Sequence, residues 1–177
     1  QAALAIEILL NAPMRVGNLA SLNLERHLKP IKIKREHRTL IHIPAHEVKN
    51  DVALDYELGR EATALLNYYL EKARPALLVE RSDFLFPAMK GGPKRTSGLS
   101  NLIKKTILEH TGLTINAHLF RSIAGKIHSL VRPGDVTTLS HVLNNSLRTA
   151  MKAYAQFERR SALEHYQNSL AIARKPG

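Results

Sequence analysis

The chain has 177 residues, 44% of them hydrophobic and 23% charged, enough apolar material for one well-buried core. Its 26 lysines and arginines against 15 aspartates and glutamates leave a formal charge of +11, so a polyanion is a natural partner, although a basic solvated surface gives the same count. Cysteine is absent, which excludes a disulfide framework and thiolate metal sites and suits a reducing cytoplasm, and no apolar run approaches the ~18 residues of a membrane-spanning helix.

The first ten residues, Gln1 to Leu10, read as the inside of a helix without the basic start of a secretion signal, and suggest a piece cut at a domain boundary. A helix over about 2–10 ends at Asn11-Ala12-Pro13, because proline disfavours helical geometry in the residue before it. A short second helix follows, with Met14, Leu19 and Leu22 on one side. From about 24 to 58 the pattern changes to three short strands, 30–33, 39–43 and 52–56, the first two alternating apolar and polar residues. Asn50-Asp51 supplies turn chemistry between the second and third strands, so Lys49 falls at a hairpin tip.

Helices are expected at about 59–73, ending before Pro75, and at 97–110, closed by Gly112. Between them, residues 89–95 form a Gly/Pro loop with three cations, expected to be mobile and able either to touch phosphates or merely to solvate the surface. Further helices are expected at 118–130, 134–142, 146–155 and 158–173. The fold class is α+β, mainly α-helical, with a small three-stranded antiparallel sheet.

Five side chains suggest chemistry. On a helix, His118 and Arg121 are three apart and address one ligand while Leu119 and Phe120 turn inward; a surface pair beside an acid is the ordinary alternative. Arg15 starts the second helix, where a cation meets the positive end of the macrodipole unless an anion joins it; the alternative is an ion pair with Glu25 or another carboxylate. Lys49 by itself is a solubility lysine, and Tyr154 by itself a half-buried packing tyrosine.

Taken in order, these pieces resemble the tyrosine recombinase, or phage integrase, family over essentially the whole chain. Met14-Arg15-Val16 with Leu19 and Leu22 is similar to its first-arginine box, and Val48-Lys49-Asn50-Asp51 to its β-hairpin lysine. Residues 117–122, with His118 and Arg121, are similar to the second-arginine box, and residues 145–155, with Tyr154, to the nucleophile box. The resemblance implies that residues 1–177 are the catalytic domain of a site-specific DNA recombinase, without the N-terminal core-binding domain. One departure stands out: the family places Leu-Gly-His nine or ten residues before the tyrosine, whereas this chain has Val142-Leu143-Asn144-Asn145. Asn144 aligns best with that histidine and can donate a hydrogen bond but not relay a proton. His141, one turn earlier, substitutes only if the register shifts.

The implied mechanism needs no metal, other cofactor or ATP. Arg15 and Arg121 grip the non-bridging oxygens, Tyr154 attacks with help from the guanidinium field or His118, and Lys49 protonates the departing 5′ oxygen. Double-stranded DNA is the implied partner, together with self-association on DNA through the C-terminal helix that carries Phe157, Leu163, Tyr166, Leu170 and Ile172. A helix packed on its own core is the alternative for that segment. Other readings are a catalytically impaired DNA-binding module of the same fold, a type IB topoisomerase-like relaxer, and a helical protein-interaction domain, which leaves the five-residue set unexplained.

Overall fold

In the computed structural model, residues 1–132, 134–152, 155, 166, 167, 170 and 174 are described. They fall into two units, Gln1–Arg121 and Ser122–Gly177.

The first unit opens with α1 (Ala2–Asn11), whose Leu4, Ala5, Ile8 and Leu9 recur at helical spacing and are fully buried. Each large side chain removed from water contributes about 1.5–3 kcal/mol, so this face anchors the fold. The Pro13 break leads into α2 (Val16–Ala20), and Met14, Leu19 and Leu22 are all buried although only Leu19 lies in the helix. A turn of helix not anticipated from sequence, α3 (Leu24–His27), forms because the Asn23 side chain accepts hydrogen bonds from the Glu25 and Arg26 amides, both 3.0 Å.

Strands β1 (Leu28–Ile33), β2 (Glu36–Ile43) and β3 (Leu54–Leu58) form an antiparallel sheet in the order β1-β2-β3. Thr39, Ile41 and Ile43 of β2 and Leu54, Tyr56 and Leu58 of β3 face the core. On the other face His42 Nδ1 meets its cross-strand partner Asp55 Oδ1 at 2.8 Å, and Arg38 pairs with Glu36 and Glu57. Pro30 is tolerated because β1 is an edge strand. The third strand lies two residues later than the 52–56 expected from sequence. Pairing of Ile43 with Leu54 leaves residues 44–53 to the connection, which contains a 3₁₀ turn at Ala45–Glu47, and Val52 is exposed.

Helix α4 (Arg60–Tyr68) packs on β2, β3 and α1 and runs into a π turn at Tyr69–Ala73 before Pro75. Residues 89–95 form a closed turn: the Ala88 amide donates to Gly92 O and the Lys94 amide to Phe86 O, both 2.8 Å. Gly91 has φ +75, and a Cβ there would stand 2.9 Å from Arg81 O. α5 (Thr96–Thr111) covers α1 and α2 and ends, as its sequence indicates, at Gly112 in the left-handed region with φ 72.

α6 (Leu119–Val131) begins at the end of the first unit and continues in the second. In the second unit, α7 (Val136–Val142) starts at Asp135, whose carboxylate accepts the Thr138 amide at 3.1 Å, and residues 147–152 are helical. Leu139, Leu143 and Ala150 are buried. Phe157, Leu163 and Ile172 of the expected last helix lie outside the described residues, as does Tyr154. Among the described residues no helix is long and apolar enough to cross a membrane.

Candidate active site

Arg15 occupies the N-cap of α2 with an extended backbone (φ −67, ψ 142), which turns the chain out of the Pro13 segment. Its Nη1 lies 3.4 Å from Asn50 Oδ1, tying the start of α2 to the β2–β3 connection. The ion pair with Glu25 weighed from sequence does not form. Arg121, in the first turn of α6, is 7% exposed, and its Nη1 donates to Pro13 O at 2.8 Å. The second arginine is thereby anchored to the backbone two residues ahead of the first.

Arg15 and Arg121 act on each other electrostatically. Burial lowers the Arg121 pKa below its ordinary value, and the positive charge of Arg15 lowers it further, with Tyr56 acting in the opposite sense. Burial raises the Tyr56 phenol, while Arg121 and Arg15 pull it back. Two guanidinium groups and one phenol are therefore within electrostatic reach of one another, from α2, α6 and β3.

His118 stands exposed just before α6, one turn ahead of Arg121, whose amide donates to His118 O at 3.2 Å. The helix start is fixed by Asn116, whose Oδ1 accepts the His118 and Leu119 amides at 3.0 and 3.1 Å. Phe120 is buried, as its sequence position indicates, but Leu119 is 39% exposed rather than turned inward. At the head of the helix it points away from the face that Phe120 and Arg121 share with the core. Lys49 is exposed at the loop tip between buried Val48 and the Asn50 that meets Arg15.

In the second unit, Asn144 is 7% exposed and adopts φ 44, with its amide donating to His141 O at 3.0 Å. Asparagine is one of the few side chains that tolerates this left-handed conformation, and glycine is the residue most suited to it. Asn145 follows, half-buried, its amide bonded to Ser140 O at 3.0 Å; His141 is exposed in the last turn of α7.

Sequence reasoning singled out neither Tyr56, Asn50 nor Asn116 for the site. The signal for Tyr56 was a phenol at an inward position between Leu54 and Leu58; for Asn116 it was a capping residue three before a helix. A further polar group, Asn18, lies one turn beyond Arg15 on α2, with Nδ2 buried and no acceptor among the described residues.

The phage integrase family profile matches residues 1–160. The chain belongs to the phage integrase family. Its fold is that of tyrosine recombinases: it is similar to XerA recombinase, at 17% identity and TM-score 0.67 over 99% of this chain and 57% of that one. It is similar also to XerH site-specific recombinase bound to a palindromic difH substrate, at 20% identity and TM-score 0.73 over 94% and 45%. A lambda integrase dimer bound to a COC′ core site matches at 15% identity and TM-score 0.59 over 90% and 53%. The chain thus spans about half the length of these family structures. Comparison with curated proteins returned no match.

Proposed function

We propose that this chain is the catalytic domain of a site-specific DNA recombinase that cleaves and rejoins strands through a covalent 3′-phosphotyrosine. The carrying observation is the pairing of Arg15 with a buried Arg121 anchored on Pro13 O. Two like charges held together are unfavourable unless an anion joins them, and attack on a phosphodiester builds such charge on the non-bridging oxygens. The α6 N-terminus beside Arg121 adds amide dipoles of the same sign.

The Tyr154 hydroxyl oxygen bonds to phosphorus and gives up its proton, for which His118 is assigned as the acceptor. The bond from phosphorus to the 5′ oxygen breaks, and Lys49 Nζ supplies the proton that oxygen takes. Arg15 and Arg121 hold the non-bridging oxygens throughout. A free 5′ hydroxyl of another strand reverses the sequence without ATP, because the phosphotyrosyl bond conserves the broken bond's energy. The phenol comes from the same chain or a second copy bound to the same DNA. Such an enzyme acts in the cytoplasm, where the cysteine-free composition is at home.

The left-handed backbone of Asn144 bears on the family's Leu-Gly-His step. Asn144 takes the conformational place of the glycine, so we assign the histidine's place to Asn145. Either asparagine donates a hydrogen bond but neither relays a proton, which favours, as a second reading, a DNA-binding module with impaired turnover. A randomised duplex library carrying suicide nicks decides between them. Covalent adducts that survive denaturant and vanish in Tyr154→Phe establish the recombinase chemistry; salt-sensitive binding without any adduct establishes the module.

A further inference from the structure

The β2–β3 connection that carries Lys49 is held by a cluster on α3. Glu47 ends its 3₁₀ turn and receives a forked contact from Arg26, with Nη1 2.9 Å from Oε1 and Nη2 3.4 Å from Oε2. His27, its side chain fully buried, accepts the Asn23 amide at Nδ1 (3.0 Å), so the neutral ring carries its proton on Nε2. That Nε2 stands 3.2 Å from Glu47 Oε2, near enough for attraction though not aligned as a full hydrogen bond, and has no other partner among the described residues. His46 Nε2 approaches Glu47 Oε1 at 3.8 Å from the exposed side.

Two residues beyond Glu47 is Lys49. Val48 between them is buried in the core, the Asp51 amide closes the turn on Val48 O at 2.9 Å, and Asn50 contacts Arg15. A lysine on a loop tip has four rotatable side-chain bonds and a mobile backbone, and delivery of a proton to one oxygen requires that the backbone be held. We infer that Glu47, clamped by Arg26 and buried His27, is a positioning residue that holds the Lys49 loop where the ammonium reaches the leaving oxygen. This rests on the assignment of Lys49 as the general acid. The clamp acts through the loop rather than on the phosphate itself.

The test compares two substrates on the captured target duplex: the ordinary phosphodiester, and one with sulfur replacing the bridging 5′ oxygen. When the phosphorus–sulfur bond breaks the thiolate departs without a proton, so a fault in proton delivery disappears and a fault in the tyrosine or arginines does not. Lys49→Ala is expected to slow oxygen-substrate cleavage by about 10²-fold or more and to recover on sulfur. Glu47→Gln is expected to show the same pattern at about 10-fold to 100-fold, with Glu47→Asp recovering most of the loss. Arg26→Ala, a change at an exposed side chain, keeps the test available if Glu47→Gln does not fold, and is expected to lose about 3-fold to 10-fold on oxygen alone. Equal slowing on both substrates, or no slowing, by Glu47→Gln and Arg26→Ala while Lys49→Ala recovers on sulfur overturns the clamp. Absence of sulfur recovery in Lys49→Ala itself overturns the general-acid assignment and the clamp with it.

Discussion

Arg121 Nη1 donates a 2.8 Å hydrogen bond to the carbonyl oxygen of Pro13, a residue 108 positions earlier in the chain. This contact brings the head of α6 to the start of α2 and fixes one arm of the guanidinium fork. Lysine at this position keeps the charge but has a single ammonium, which cannot serve both the carbonyl and a phosphate with planar geometry. Arg121→Lys is expected to reduce adduct formation by about 10²-fold to 10³-fold. Its loss of folding free energy in urea should stay within about 1–3 kcal/mol, the scale of one disturbed buried hydrogen bond. A variant that cleaves at the parent rate counts against the phosphate role.

The repulsion between Arg15 and Arg121 predicts stabilisation by a small dianion. At an anion concentration about 100 times its dissociation constant, mass action contributes about 2.7 kcal/mol. Sulfate also stabilises proteins by exclusion from their surfaces, so the informative quantity is the difference between the parent and Arg15→Gln at matched ionic strength. The parent is expected to gain several degrees more in melting temperature than Arg15→Gln. Equal gains would mean that no anion sits between the arginines.

His27 sets a pH dependence. Burial depresses its pKa below the ordinary 6.5, with Glu47 opposing and only partly offsetting the shift. The unfolded chain therefore binds the proton more readily, and stability rises with pH across the interval between the two values. The contribution is fully present above 6.5 and is lost as pH falls from there through the folded-state value. Unfolding free energy measured from pH 8 to pH 5 is expected to fall more steeply in the parent than in His27→Gln. Identical slopes would remove His27 from the acid response.

Asn144 and Asn145 separate by conformation. Asn144→Gly is expected to leave stability unchanged or slightly raised, because φ 44 suits glycine, whereas Asn144→Ala should cost about 1 kcal/mol. If Asn145 holds the histidine's place, Asn145→His raises adduct formation by about 10-fold and Asn145→Ala lowers it by a similar factor, while Asn144→Gly leaves it unchanged. The reverse pattern would return the role to Asn144.

Local signals carried a good part of the fold. Proline before a helix, alternation in β2, and a glycine after α5 each act through backbone sterics or a face's need for burial, which neighbouring residues suffice to specify. The start of a helix beside His118 was legible in the same way. The two-residue displacement of β3 was not, because register depends on Ile43 meeting Leu54 and on how many residues the Glu47 turn consumes. The exposure of Leu119 likewise depended on where Asn116 began α6.

By itself the amino-acid order determined that a cysteine-free, strongly basic chain carries arginines, a lysine and a histidine in suitable local settings, and that it folds as helices around a small sheet. Only the tertiary structure decided that Arg121 is buried against Pro13 O, that Tyr56 shares the field of both arginines, and that the Lys49 loop is tethered to α3 through Glu47. The reason is physical: periodicity and capping are set within a turn or two of chain, whereas contacts between remote segments exist only once a common core has excluded water and fixed their distances.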